Sequence, residues 1–168
     1  MEKPVFLIGF MGVGKTTLGK KLAKKLNVPF YDTDEEIEKE MGMTVKDLFS
    51  KYGESYFRNL EKVWLQNISK NPAVIATGGG MPCDEKRLSL MKSTGTIVYL
   101  ERPAKELFNR LKNAKKSRPL LASMSDDEML EYIQTTLKNR SFYYSQADYV
   151  LNRSQQDANY IYTLLAHK

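Results

Sequence analysis

The sequence predicts an α/β sandwich built on a mostly parallel sheet. Three observations carry that expectation. Short apolar runs alternate along the chain with longer stretches whose apolar residues recur at helical spacing. The stretch Gly9-Phe10-Met11-Gly12-Val13-Gly14-Lys15-Thr16 satisfies G-x-x-x-x-G-K-[ST] at each fixed position, and it sits between such a run and such a stretch. The acidic segment Asp32–Asp34 and the glycines Gly78–Gly80 each follow an apolar run. They should therefore emerge at the carboxyl ends of strands, where open α/β sheets bind ligands.

Taken in order, Val5-Phe6-Leu7-Ile8 is the first strand, and Leu18, Leu22, Ala23 and Leu26 mark the inner face of the helix after the glycine loop. Glycines let the backbone curl so that Gly12, Val13, Gly14, Lys15, Thr16 and Thr17 present N–H groups to anionic oxygens. The helix start adds partial positive charge. Lys15 is placed to reach β- and γ-phosphates, and the Thr16 hydroxyl to ligate Mg2+. The segment 27–34 is the second strand. If both are extended, Asp32 and Asp34 leave the same face and suit Mg2+ coordination and activation of a hydroxyl. The same stretch, Thr33-Asp34-Glu35-Glu36, equally satisfies a helix capping box.

From Glu35 to about Ser69 the spacing predicts three helices, with Gly42 and Gly53 as ends and Thr44 as a start. One helix is enough to connect parallel strands, so the others form an insertion, a candidate place for a second substrate. Arg58 and Glu61 lie three apart and share a helix face. That spacing suits either a surface ion pair or a guanidinium fork braced for a carboxylate. Ala73–Thr77 is the third strand. The three glycines after it cost conformational entropy that a loose turn does not require, which points to a ligand approaching bare backbone.

Asp84 to Lys92 is a helix, Thr96–Leu100 the fourth strand, and Pro103 opens the next helix through Leu107, Phe108 and Leu111. Residues 112–125 break the pattern with a basic front and Arg118-Pro119. This segment is either a solvated loop or a lid that brings a cation to a transferring phosphoryl group. Asp126–Tyr144 is a long helix with Arg140 near its end, where it either complements the dipole or reaches the site. Tyr149–Leu151 is the fifth strand and 157–166 the closing helix. The tyrosines and methionines are taken as packing residues.

The 168 residues make one domain, 42% hydrophobic and 27% charged, with net charge +6. That charge suits an enzyme handling polyanions. Basic and aromatic residues do not interleave as in RNA-binding domains, so a nucleic-acid partner is not expected. One cysteine and one histidine supply neither a disulfide nor a metal cluster, and suggest a reducing cytoplasm. A signal pattern and a membrane span are not expected, and a monomer is.

With these motifs on the page, the chain resembles the shikimate kinases over essentially its whole length. The carriers are G-F-M-G-V-G-K-T at Gly9–Thr16, D-T-D at Asp32–Asp34, F-R-x-x-E at Phe57–Glu61, G-G-G at Gly78–Gly80, R-P-L-L at Arg118–Leu121, and Arg140. The loop alone is widespread, whereas the combination is narrow. The resemblance implies a P-loop NTPase of the nucleoside-monophosphate-kinase type, a three-layer sandwich with a five-stranded parallel sheet. The single kinase domain would have its core at 1–32, 70–111 and 126–168, a substrate-binding helical insertion at about 33–69 and a lid at about 112–125. It also implies ATP-dependent phosphorylation of the 3-hydroxyl of shikimate with Mg2+.

By motif, Thr16 would ligate Mg2+ and Asp32 would hold it through water. Asp34 would take the substrate hydroxyls, Arg58 and Arg140 its carboxylate, and Glu61 would brace Arg58. Gly78, Gly79 and Gly80 would contact the substrate through backbone. Lys15 and Arg118 would stabilise phosphate charge, and Arg110 and Gln156 would lie near adenine. One departure is visible: Ser141-Phe142-Tyr143-Tyr144 follows Arg140 where the family often has a proline and then a tyrosine. Competing expectations are a gluconate or nucleoside monophosphate kinase, or a nucleotide-dependent module without turnover.

Overall fold

The computed structural model describes residues 3–68, 71–113 and 119–166. Five strands, β1 (Val5–Ile8), β2 (Phe30–Asp32), β3 (Val74–Ala76), β4 (Thr96–Leu100) and β5 (Tyr149–Leu151), pair in parallel in the order β2-β3-β1-β4-β5. The central strand β1 is buried at each residue, which is why it is a continuous apolar run rather than an alternating one. Its side chains still divide by parity. Val5 and Leu7 enter one core, Phe6 and Ile8 the other. Strand β4 does the same, with Val98 and Leu100 on the first side and Ile97 and Tyr99 on the second.

Helices cover both faces. On the first lie α1 (Lys15–Leu26), α6 (Ala104–Asn113) and α9 (Ala158–Ala166), which contribute Leu18, Leu22, Leu107, Leu111 and Ile161. On the second lie α4 (Glu54–Ile68) and α5 (Glu85–Thr94), with Leu65, Leu88 and Met91. Helix α8 (Asp126–Tyr144) feeds both cores, Met129 and Ile133 into the first and Tyr144 into the second. Between β2 and β3 the chain also forms α2 (Thr33–Met41) and α3 (Val45–Tyr52). These pack with α4 around a small separate core of Ile37, Leu48 and Phe57.

Most expected elements fall where the spacing places them. The basic segment after Leu111 differs. Helix α6 continues to Asn113, and a short helix α7 (Pro119–Ala122) inserts Leu121 into the first core. Burial of that leucine anchors the far side of the segment. Residues 114–118, and with them Arg118, lie outside the described residues. Among the described residues, no helix is long and apolar enough to cross a membrane.

Candidate active site

The loops after β1, β2 and β3 meet at one end of the sheet. After β1 the chain turns through Gly9, Gly12 and Gly14 at φ 143°, 78° and 110°. These left-handed angles strain any residue with a Cβ. At Gly12 a Cβ would also stand 2.8 Å from a Leu111 methyl, so the loop is packed against α6. Helix α1 then begins with no side-chain cap and no acidic residue in its first turn. Its neighbours differ: α2, α3, α5 and α8 are capped by Asp32, Thr44, Asp84 and Ser125. The start of α1 thus carries no capping side chain and no acidic charge, an arrangement suited to phosphate. Lys15 curls over this loop and donates to Gly9 O at 2.7 Å and Phe10 O at 3.0 Å. Arg110 donates from Nε to Gly12 O at 2.8 Å, which seats it on the same loop.

The β2–α2 junction corrects one expectation. Asp32 and Asp34 are not both extended. The strand ends at Asp32 and the helix starts at Thr33. The cap is Asp32, one residue ahead of the anticipated box: its Oδ1 accepts the Asp34 N–H at 3.2 Å. Its Oδ2 accepts from the Thr16 hydroxyl at 2.8 Å, so one carboxylate spans α1 and α2. Thr33 is released from capping. Its buried hydroxyl accepts the Gly78 N–H at 2.9 Å and ties α2 to the glycine turn.

Each glycine of that turn faces a different charged side chain. A Cβ on Gly78 would lie 2.7 Å from Asp34 Oδ1, on Gly79 2.7 Å from Arg140 Nη1, and on Gly80 2.5 Å from Arg58 Nη2. The run is glycine because three side chains from α2, α8 and α4 press on its backbone. This accounts physically for the entropic cost of three glycines in a row.

Arg58 donates from Nη1 to Glu61 Oε2 at 2.8 Å, and from Nε and Nη2 to Glu54 at 3.1 and 2.9 Å. The pair is not a surface ion pair, because the Glu61 side chain has 0% exposure. Burial pushes the Glu61 carboxyl above its ordinary range, and the Arg58 and Arg87 guanidiniums pull it back. Burial works against the Arg58 charge too, but Glu61 and Glu54 outweigh it and hold the group protonated.

Asp34 is raised to about 6, chiefly by burial, with the Asp32 and Glu61 charges adding and Lys15 opposing. Asp34 Oδ1 and Glu61 Oε1 are both buried with no hydrogen-bond partner among the described residues, and both lie within 3.3 Å of the same point beside Gly78. Two acceptors left in this way are matched to a donor such as a hydroxyl.

Three contributors carried no sequence signal. Thr33 looked like part of a capping box, and Arg87 was not singled out within its helix. Tyr144 fell among residues taken as packing. It does pack on Tyr99, but its hydroxyl also donates to Gly79 O at 2.7 Å and accepts from Arg140 Nη1 at 3.4 Å. Burial raises that phenol well above its ordinary value, so it stays a donor. Arg140 is further held over the Phe10 ring, 5.8 Å from its centroid. Tyr144→Phe should leave Gly79 O with only the weak Cys83 thiol donor at 3.8 Å and cost about 1–2 kcal/mol in denaturant melts. An unchanged melt would remove the hydroxyl from the architecture.

Gln156 stands apart from the loop. Its amide donates to Glu101 O and Leu151 O at 2.8 and 2.9 Å, and accepts from Arg102 at 3.0 Å, tying together the ends of β4 and β5. Arg118 lies outside the described residues, so the described site holds Lys15, Thr16, Asp32, Asp34, Arg58, Glu61, Gly78–Gly80, Arg110 and Arg140.

A family model described as shikimate kinase matches residues 11–167. A shikimate kinase of Bacteroides fragilis is 46% identical over 147 residues, spanning 87% of this chain and 82% of that protein. The crystal structure of a shikimate kinase from Bacteroides thetaiotaomicron superposes with a TM-score of 0.90 at 42% identity, covering 97% of this chain and 98% of that one. One from Acinetobacter baumannii, in complex with shikimate, gives 0.84 at 34% identity, covering 98% and 93%. With the loop, the acidic junction and the glycine turn assembled at one end of a parallel sheet, the chain is an enzyme and belongs to the shikimate kinase family.

Proposed function

We propose that this enzyme transfers the γ-phosphoryl group of ATP to the 3-hydroxyl of shikimate, giving shikimate 3-phosphate on the route to chorismate. The observation that carries this reading is the packing of Asp34, Arg140 and Arg58 against three successive glycines, beside a phosphate loop. A carboxylated polyol requires such a set: guanidinium forks for its anion and a carboxylate for its hydroxyls.

In this reading the amides at the start of α1, from Gly12 to Thr17, bind the β- and γ-phosphates. Lys15 exchanges its carbonyl partners for phosphate oxygens. Arg58 and Arg140 grip the shikimate carboxylate, with Glu61 bracing Arg58 and Gly78–Gly80 giving backbone contacts. That fixes the ring so that the 3-hydroxyl faces Asp34. Asp34 orients this hydroxyl and accepts its proton as the oxygen bonds to phosphorus in line with the departing ADP oxygen.

Thr16 and Asp32 suit Mg2+, since a hydroxyl and a carboxylate oxygen 2.8 Å apart are the hard donors it selects. Thr16 would bind it directly and Asp32 through water. When bound, Mg2+ neutralises charge on the phosphates. Arg118, from the segment at about 112–125, adds a second cation, Arg110 and Gln156 flank adenine, and the enzyme acts as a monomer in the cytoplasm.

The test is ADP release measured with shikimate, gluconate, AMP and no acceptor. Only shikimate should give turnover. Faster release with gluconate or AMP, or equal release without an acceptor, would overturn the assignment.

A further inference from the structure

Glu61 holds Arg58 from a position with no exposure of its own. A carboxylate so placed needs a second cation, because Arg58 also serves Glu54 and faces the site. That cation comes from α5. Arg87 is itself buried, with 9% side-chain exposure. Its Nε donates to Met81 O at 2.8 Å and lies 4.0 Å from Glu61 Oε2. Its own backbone N–H is fixed by the Asp84 cap at 3.0 Å. Arg87 thus joins the residue after the glycine turn to the acid that holds Arg58.

We propose that Arg87 is a positioning residue: the buried counter-cation of Glu61, through which it fixes the Arg58 fork. The claim rests on the reading above for the role of Arg58 but assigns a separate residue on a separate helix. It makes a pH-dependent prediction with a definite sign. The groups facing Glu61 are Arg58 and Glu54 on α4, Asp34 on α2, Arg87 on α5 and Cys83 of the turn. Without Arg87, burial of Glu61 is opposed by Arg58 alone among the cations, and the carboxyl holds its proton to higher pH. A protonated Glu61 loses its charge-assisted bond to Arg58. Raising the pH removes the proton and restores the fork.

Arg87→Met should raise the KM for shikimate about tenfold at pH 7, with kcat and the KM for ATP changed by less than about threefold. The shikimate KM should fall back toward wild type as the pH is raised, because burial with one cation fewer holds the Glu61 proton to higher pH than in wild type. Arg87→Lys keeps the cation and should stay within about threefold of wild type. In a Glu61→Gln background, Arg87→Met should add less than about twofold, since there is no charge left to oppose. This cycle, with Arg87→Lys, decides the matter if Arg87→Met alone folds poorly.

A 13C titration of the Glu61 carboxyl, assigned through Glu61→Gln, should show Arg87→Met shifted to higher pH than wild type. It needs no substrate, so it separates failure of this proposal from failure of the proposed reaction. Equal losses for ATP and shikimate, a pH-independent KM, equal damage from lysine and methionine, or an unmoved Glu61 titration would each overturn it.

Discussion

Asp34→Asn should reduce kcat about a thousandfold while leaving the KM for ATP within a few-fold, because a positioned general base contributes about 10²–10⁴ in rate. The geometry favours a large effect. Asp34 Oδ1 is buried without a hydrogen-bond partner among the described residues, beside Gly78, where a hydroxyl donor suits it. In wild type, turnover should fall as pH drops through about 6, where Asp34 takes up its proton. The fold should respond the other way. A carboxyl raised from 3.8 to about 6 binds protons more tightly in the folded chain, so its ionised form weakens the fold above pH 6. Asparagine removes the buried charge, and with it the desolvation cost and the repulsion from Asp32 and Glu61. The variant should therefore be more stable by about 1–2 kcal/mol at pH 8, with the gain gone below about pH 4. Calorimetry at the two pH values and steady-state kinetics check both halves. Retained activity would remove Asp34 from the mechanism, and an unchanged melt at pH 8 would remove the strain.

Arg58→Ala should raise the KM for shikimate by about 30- to 150-fold, or about 2–3 kcal/mol, with ATP kinetics nearly unchanged. In the proposed reaction truncation would delete a fork to the substrate anion, and it strips Glu61 of its 2.8 Å partner. The arginine side chain is 22% exposed, which keeps the loss below that of a wholly enclosed pair. Glu61 retains Arg87 at 4.0 Å, so the chain should still fold. Similar losses for both substrates would mean that Arg58 serves the architecture and not the acceptor.

The alternation of elements was legible because each uses one periodicity without interruption. The apolar runs at Val5–Ile8 and Thr96–Leu100 and the long pattern ending at Tyr144 match the observed bounds. The phosphate loop was legible because its chemistry is local. Strand order was not, since nothing in a strand's own residues says which neighbour it pairs with. The D-T-D junction misled by a residue, because Asp32 and Thr33 both have capping side chains. Tertiary context decides between them: Thr33 finds a buried N–H at Gly78, 45 positions on. Arg87 and Tyr144 were illegible for the same reason. Their partners, Glu61 and Gly79, are remote in sequence, and neither residue type announces which face it buries.

The glycine turn also bears on how this chain can drift. Its three positions are closed to replacement for three unrelated reasons, a carboxylate at one and two separate guanidiniums at the others, each borne on a different helix. No single compensating change elsewhere would reopen more than one of them. Substrate preference in descendants of this enzyme should therefore change first through the side chains that lean on the turn, while the turn itself stays fixed.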